Sequence, residues 1–128
     1  MARSIVEQLK KTLKCEDLLA CIYDLKQLDI AIYKCLLEKG GMKVDELSEY
    51  VKREKSTTYR SLQNLITHGL VFRETHSIEN GGYYYTYHPN DPSRIYRDIK
   101  RYIDEWYAKM NLLLQEFQLD FLQERKFT

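Results

Sequence analysis

The sequence predicts a mainly α fold with a small β-hairpin wing and a long C-terminal helix. Three observations carry that prediction. Apolar residues recur at helical spacing through the N-terminal half. Asn80-Gly81 separates two runs of β-prone residues, the strongest short-range hairpin signal. Beyond Pro92 no helix breaker occurs, and one apolar stripe runs nearly to the end. The 128 residues suffice for one domain with a real core and exclude a TIM barrel or a two-domain dehydrogenase. With 44% hydrophobic and 30% charged residues, five Gly and two Pro, the composition is that of a folded, helix-rich chain. The net charge of +1 supplies no global field for polyanions, so a nucleic-acid site must come from local clustering.

Taken in order, Ser4-Ile5-Val6-Glu7 has the form of a capping box, and Ile5, Val6, Leu9 and Leu13 follow at helical spacing. A first helix is therefore expected from about Ile5 to Leu13. Leu18, Leu19, Ile22 and Leu25 mark a second helix over Cys15 to Leu25. Asp29 to Lys39 is apolar almost all round, through Ile30, Ile32, Tyr33, Leu36 and Leu37, and should be the buried helix, stopped by Gly40-Gly41. Met42 to Val44 suits a short strand, and Asp45 to Val51 a helix of about two turns with Leu47, Tyr50 and Val51 on one face. After the polar break Lys52 to Lys55, Ser56 is the expected N-cap of a helix ending at Gly69. Its inward face is read as Thr58, Leu62, Leu65 and Ile66. The outward face is then Thr57, Arg60, Ser61 and Asn64, with Tyr59 and Gln63 on a flank.

A buried helix, a short helix, a polar turn and a helix with a polar face make a helix-turn-helix. Leu70 to Ile78 and Tyr83 to Tyr87, joined through Glu79-Asn80-Gly81-Gly82, add the hairpin, with Met42 to Val44 as its third strand. The predicted fold is thus a winged helix-turn-helix plus a long C-terminal dimerisation helix. Residues 1–25 form N-terminal helices packing on the core or dimer interface, 26–90 the winged domain and 91–128 the last helix.

That last helix opens with Asp91 as N-cap and Pro92 in the first helical position. Its stripe is Ile95, Ile99, Tyr102, Trp106, Met110, Leu113, Phe117 and Phe121, close to an 11-residue repeat and so to a straight or slightly right-handed seam. At 1.5 Å per residue the helix would reach roughly 50 Å, more than one winged domain can cover. The same helix of a second subunit is the expected cover, against the plainer alternative of a helix folded back on its own domain.

The run from Leu28 to Pro89 resembles the DNA-binding domain of the TrmB family of transcriptional regulators, a mainly archaeal family related to MarR-type winged helices. The resemblance rests on Leu28-Asp29, Tyr33, Asp45-Glu46-Leu47, Ser56-Thr57, Tyr59-Arg60, Leu62, Leu65 and Gly69-Leu70-Val71. It implies cytoplasmic, dimeric, sequence-specific DNA binding that represses or activates promoters. Longer members carry a C-terminal sugar-binding domain, whereas this chain stops after one helix, so sugar sensing is not carried over. Lys43 stands where a capping Ser or Thr would be usual.

Several residues are candidates for DNA contact. Arg60 can pair bidentately with guanine and Asn64 with adenine, and Thr57 can offer its methyl to thymine or its hydroxyl to phosphate. Tyr59 flanks them. Arg53 and Lys55, with Lys52, form the basic cluster beside this helix, where a phosphate backbone would pass, and Ser56 with the helix N-terminus adds donors. The wing offers Asn80 at an acidic tip and Arg73 on its strand. It either contributes modestly or is mainly structural. Tyr83, Tyr84, Tyr85 and Tyr87 occupy both faces of a strand, and tyrosine suits strands without any stacking role. The expected partners are pseudo-palindromic double-stranded DNA and a second copy of the chain. A protein-interaction module within a transcription or chromosome assembly is the competing reading, favoured by the neutral charge and acidic tip.

Other chemistry finds little support. Cys15, Cys21 and Cys35 lack zinc-ribbon or zinc-finger spacing and are read as buried, reduced thiols. His68, His76 and His88 are scattered along the chain, and no metal site is expected from them. No nucleophile elbow, phosphate-binding glycine loop or carboxylate pair is present, so neither an enzyme nor a cofactor is expected. No pattern indicates a small-molecule effector. A cytoplasmic protein without leader or membrane span is expected.

Overall fold

A computed structural model describes residues 4–123. The elements run α1 (Ile5–Leu9), α2 (Cys15–Tyr23), α3 (Gln27–Lys39), α4 (Val44–Val51), α5 (Lys55–Thr67), β1 (Val71–Ser77), β2 (Tyr83–Pro89) and α6 (Pro92–Phe117), followed by a π-helical turn, Gln118–Gln123. The chain divides after Pro92 into two compact units.

In the first unit, α3 packs against α4, α5 and β2, and α5 also meets α4 and β1. Ile32, Leu36, Leu47, Leu62, Leu65 and Leu70 are completely enclosed, with Val71 and Tyr87 nearly so. Each such aliphatic side chain contributes about 1.5–3 kcal/mol relative to leaving it in water. The core therefore falls on the helices expected to hold it.

The starts of three helices share one device. An acid at the third helical position accepts the backbone N–H of the N-cap residue: Asp17 from Lys14 (2.7 Å), Asp29 from Lys26 (2.9 Å) and Glu46 from Lys43 (2.9 Å). This satisfies an otherwise orphaned donor and places negative charge at the positive end of the helix. It also explains how Lys43 serves as a cap. Since α4 begins at Val44, the expected strand over Met42 to Val44 reduces to a single bridge, with Met42 and Tyr87 exchanging backbone hydrogen bonds of 3.1 and 2.8 Å.

At the other end of the chain's first helix, Ser4 caps α1 as expected, accepting from the Glu7 amide at 3.1 Å. The helix nevertheless ends at Leu9 rather than Leu13, and it buries no residue. Ile5, Val6, Leu9 and Leu13 are all exposed. A helix this short lacks the length to be stable by propensity alone. α2 packs on α3, and Tyr23 and Leu25 are buried.

α5 starts two residues earlier than expected, with Glu54 as N-cap and Ser56 inside the first turn. It stops at Gly69, whose φ of +81° is a conformation costly for residues with a Cβ, and the Leu70 amide reaches back to the Leu65 carbonyl at 2.9 Å. β1 and β2 pair antiparallel from Val71↔Pro89 to Ser77↔Tyr83. Their tip is closed by Gly81 N–H to Ile78 O (3.0 Å) and Ile78 N–H to Gly82 O (3.1 Å). Asn90 ties the far end of the hairpin to the end of α5, donating from its side chain to Gly69 O (2.7 Å) and from its amide to Leu70 O (2.8 Å).

In the second unit, α6 is regular from Pro92 to Phe117, about 39 Å at 1.5 Å per residue. The π-helical turn replaces the regular α-helix expected there, and any continuation past Gln123 lies outside the described residues. From Arg101 to Leu122 every residue is exposed. Ion pairs at helical spacing, Lys100–Asp104 (3.5 Å), Arg101–Asp98 (3.5 Å) and Arg101–Glu105 (4.0 Å), lie along it.

Candidate nucleic-acid interface

The orientation of α5 follows from one buried carboxylate. Asp29, on α3, is only 4% exposed and accepts from the Ser61 hydroxyl and from Asn64 Nδ2 (3.0 Å), besides capping its own helix. A buried carboxylate requires such partners, and here α5 supplies them. Ser61 is consequently buried rather than outward, and Asn64 is half-buried with its amide committed to Asp29. The expected outward face is corrected at both positions, and Asn64 is withdrawn as an adenine reader. Apolar periodicity could not reveal this, because Ser and Asn count as polar wherever they point.

The exposed face of α5 consists of Lys55, Ser56, Tyr59, Arg60 and Thr67, with Gln63 half-buried between them. Thr57 is half-buried, and Ile66, expected inside, is only partly covered. Tyr59, placed on a flank by sequence, is 44% exposed and belongs to the centre of this face.

The turn into α5 carries Lys52, Arg53 and Lys55, all exposed. Lys52 adopts a left-handed conformation (φ +56°), and the Arg53 amide closes α4 by donating to Ser48 O at 3.1 Å. Lys55 is paired with Asp45 at 3.3 Å, both side chains more than half exposed. A pair this open is weak and can be exchanged for a phosphate.

One face of the hairpin lies beside α5. The Tyr87 hydroxyl feels both Arg73 and Tyr59: burial raises its pKa, while a hydrogen bond to Arg73 opposes that rise. Arg73 Cζ also stands 3.9 Å over the Tyr85 ring. The Tyr85 pKa is raised, first by its hydrogen bond with Tyr83. Arg73 is thus held by two aromatic partners on the side of the hairpin that adjoins α5. Asn80 is exposed at the tip beside Glu79.

The opposite hairpin face brings together two histidines that lie apart in the sequence. Glu74, His76 and His88 bring one ligand-type atom each to within 4.8 Å of one another. His68 stays apart, with its Nδ1 2.9 Å from Asn64 O. The cysteines are corrected in part: Cys15 and Cys21 are exposed and only Cys35 is buried, its thiol pKa pushed up by that burial.

Of the candidate seam on α6, Ile95 and Ile99 are buried in the single chain. Tyr102, Trp106, Met110, Leu113, Phe117 and Phe121 are exposed, Trp106 by 47%. No described helix is long and apolar enough to cross a membrane.

A helix-turn-helix with a paired wing and a polar, partly basic recognition face defines a DNA-binding protein of transcription regulation. Residues 19–93 match the family model described as sugar-specific transcriptional regulator TrmB. Two uncharacterised proteins of Methanocaldococcus jannaschii are similar along almost their whole length. One is 30% identical over 120 residues, covering 94% of this chain and 91% of the relative. The other is 36% identical over 118 residues, covering 92% and 97%. Among solved structures, a Methanosarcina mazei Go1 protein named "Possible transcriptional regulator" superposes with a TM-score of 0.76 at 26% identity, covering 84% of this chain and 92% of that one. A Sulfolobus tokodaii protein shares the fold, with a TM-score of 0.62 at 23% identity over 74% of this chain and 93% of that one. The chain belongs to the TrmB family of transcriptional regulators.

Proposed function

We propose that the chain is a sequence-specific regulator that binds double-stranded DNA as a homodimer, with α5 in the major groove. The observation that carries this reading is the exposed face of α5, where Ser56, Tyr59 and Arg60 stand between the basic turn and Arg73. Arg60 reads a guanine edge, and Tyr59 packs against an adjoining base or sugar. Ser56, Thr57 and the first amides of α5 hold a phosphate, helped by Arg53 and by Lys55 once it leaves Asp45. Arg73 takes a second phosphate. Asn64 supports the helix from within.

The dimer reading rests on the stripe from Tyr102 to Phe121, which is apolar yet exposed along the whole of its length. Pairing it with a second copy removes that surface from water and sets two recognition helices to read half-sites about 34–36 Å apart. Ile95 and Ile99 leave the seam. Fluorescence anisotropy on fragments from upstream of the chain's own gene and on scrambled DNA, with salt varied, tests the first part. Tighter binding to the former with a negative log–log salt slope supports it. Equal weak binding to all DNA favours the protein-interaction reading. Sedimentation equilibrium tests the dimer.

A further inference from the structure

Outside the DNA-facing surface, the largest concentration of unused chemistry lies on the hairpin face that carries Phe72, Glu74 and His76 from β1 and Tyr84, Thr86 and His88 from β2. Glu74 is paired with Thr86 in the middle row, and the two histidines sit on the rows either side, one from each strand. Twelve residues apart in sequence, their rings converge. Glu74 Oε1 lies 3.1 Å from His88 Nε2 and 3.7 Å from His76 Nε2. The Thr86 hydroxyl lies 2.7 Å from His76 Nε2 and 2.8 Å from His88 Nε2.

We propose that this face binds one divalent transition-metal ion of the zinc class through His76 Nε2, His88 Nε2 and a Glu74 carboxylate oxygen. Two donor atoms about 2.0–2.1 Å from a tetrahedral ion stand roughly 3.3 Å apart, close to the carboxylate–imidazole separations here. Imidazole and carboxylate together suit zinc and its neighbours rather than magnesium or calcium. Three protein ligands also leave a position for water.

The Thr86 hydroxyl sits between the two imidazoles. A hydroxyl has one proton, so Thr86 can satisfy the lone pair of only one imidazole. The other ring can donate its Nε2–H to the Glu74 carboxylate or to the Thr86 oxygen. A metal ion satisfies both lone pairs and the carboxylate at once. The rings are moreover held in place for it. His76 is stacked on Tyr84 (centroids 4.9 Å apart, planes at 14°) and His88 on Phe72 (5.2 Å, 18°). On its other side His88 occupies the space beside Gly41, where a Cβ would collide with the ring. Fixing ligand rings by packing is how metal sites gain affinity before the ion arrives. All three ligands retain solvent access, with side chains 51%, 38% and 26% exposed for Glu74, His76 and His88.

Isothermal titration of the full chain with zinc chloride in a non-chelating buffer tests the site. The expected result is one ion per chain, weakened at least about 100-fold by His76→Ala and by His88→Ala, since loss of a mere supporting partner already costs 10–100-fold. His68→Ala should bind as the parent does. Ion-free melting curves establish that the variants fold, and His88→Gln serves if His88→Ala does not. Cobalt(II) in place of zinc distinguishes these ligands from Cys15 and Cys21, because thiolate ligation adds an intense charge-transfer band. Absence of stoichiometric binding, binding that survives both histidine replacements, or a thiolate band would each overturn the proposal.

Discussion

Replacing Asp29 by Ala should be among the most damaging single changes in the winged domain, although it deletes only a small polar group. The carboxylate is 4% exposed and accepts three hydrogen bonds, from Lys26 N–H, the Ser61 hydroxyl and Asn64 Nδ2. Ser61 is itself buried, so its abandoned hydroxyl costs about 1–3 kcal/mol. Asn64 is half-buried and can recover water on one side, so its loss falls at about 1 kcal/mol. Removing the acceptor for the Lys26 amide costs about 0.5–1 kcal/mol, as for other capping interactions. The total is about 2.5–5 kcal/mol, a large share of the roughly 5–15 kcal/mol that holds a domain together. Urea denaturation followed by circular dichroism should show the midpoint falling at an unchanged slope. Ser61→Ala combined with Asp29→Ala should cost less than the separate losses together, because the double variant leaves no buried hydroxyl facing an absent carboxylate. A loss below about 1 kcal/mol for Asp29→Ala would refute the claim that this network sets the orientation of α5.

Other outcomes follow from the same geometry. Arg60→Ala should weaken binding to the cognate site by about 5–150-fold and relax preference at one base pair, whereas Lys55→Ala should weaken all sequences alike, as anisotropy on matched and scrambled DNA would read. Trp106→Glu, a charge placed in the exposed stripe, should give a monomer in sedimentation equilibrium; a dimer would remove α6 as the interface. Gly41→Ala should push the His88 ring off Phe72 and lower zinc affinity at least about tenfold, a change visible by titration. Burial, with Asp91 and Tyr23 nearby, raises the Tyr33 hydroxyl from 10.0 to about 12. Its contribution to stability is complete below pH 10 and lost as pH rises to about 12, so Tyr33→Phe should flatten alkaline denaturation in that window, and an unchanged profile would contradict the assignment.

The elements were legible where local signals act alone. Gly69 ends α5, Gly81 and Gly82 let the hairpin turn and Pro92 opens α6, because each depends on backbone conformations that few residues tolerate. The stripe on α6 was legible for a similar reason, since apolar spacing of three and four residues sustained over many turns fits a helix and no strand. Errors arose where a short segment could satisfy two patterns. Met42 to Val44 reads as β-prone, but Glu46 captures the Lys43 amide and starts α4 at once, leaving a single bridge to Tyr87. The extension of α1 to Leu13 failed because apolar spacing predicts a face and not whether anything covers it.

The candidate site was less legible, and the two principal omissions have one physical origin. Asp29 lies 32 residues from Ser61, and His76 lies 12 from His88, so neither pairing leaves a trace in periodicity or spacing. Both are polar groups whose partners are selected by tertiary packing or strand register. A hairpin's register brings i and j together across the sheet and also aligns diagonal neighbours. Once Glu74 faces Thr86, the placement of His76 and His88 on the flanking rows is forced. The hairpin therefore acquires two chemically different faces from simple alternation. Arg73, Tyr85 and Tyr87 share the face beside α5, and Glu74, His76 and His88 stand opposite. An ion on the second face would neutralise Glu74 and link β1 to β2, stiffening the strand that holds Arg73. Metal binding would then act on DNA affinity through the order of the wing rather than through contact with α5. DNA titrations with and without zinc should therefore differ for the parent chain and coincide for His88→Ala. A zinc effect that persists in His88→Ala would sever the link between the two faces.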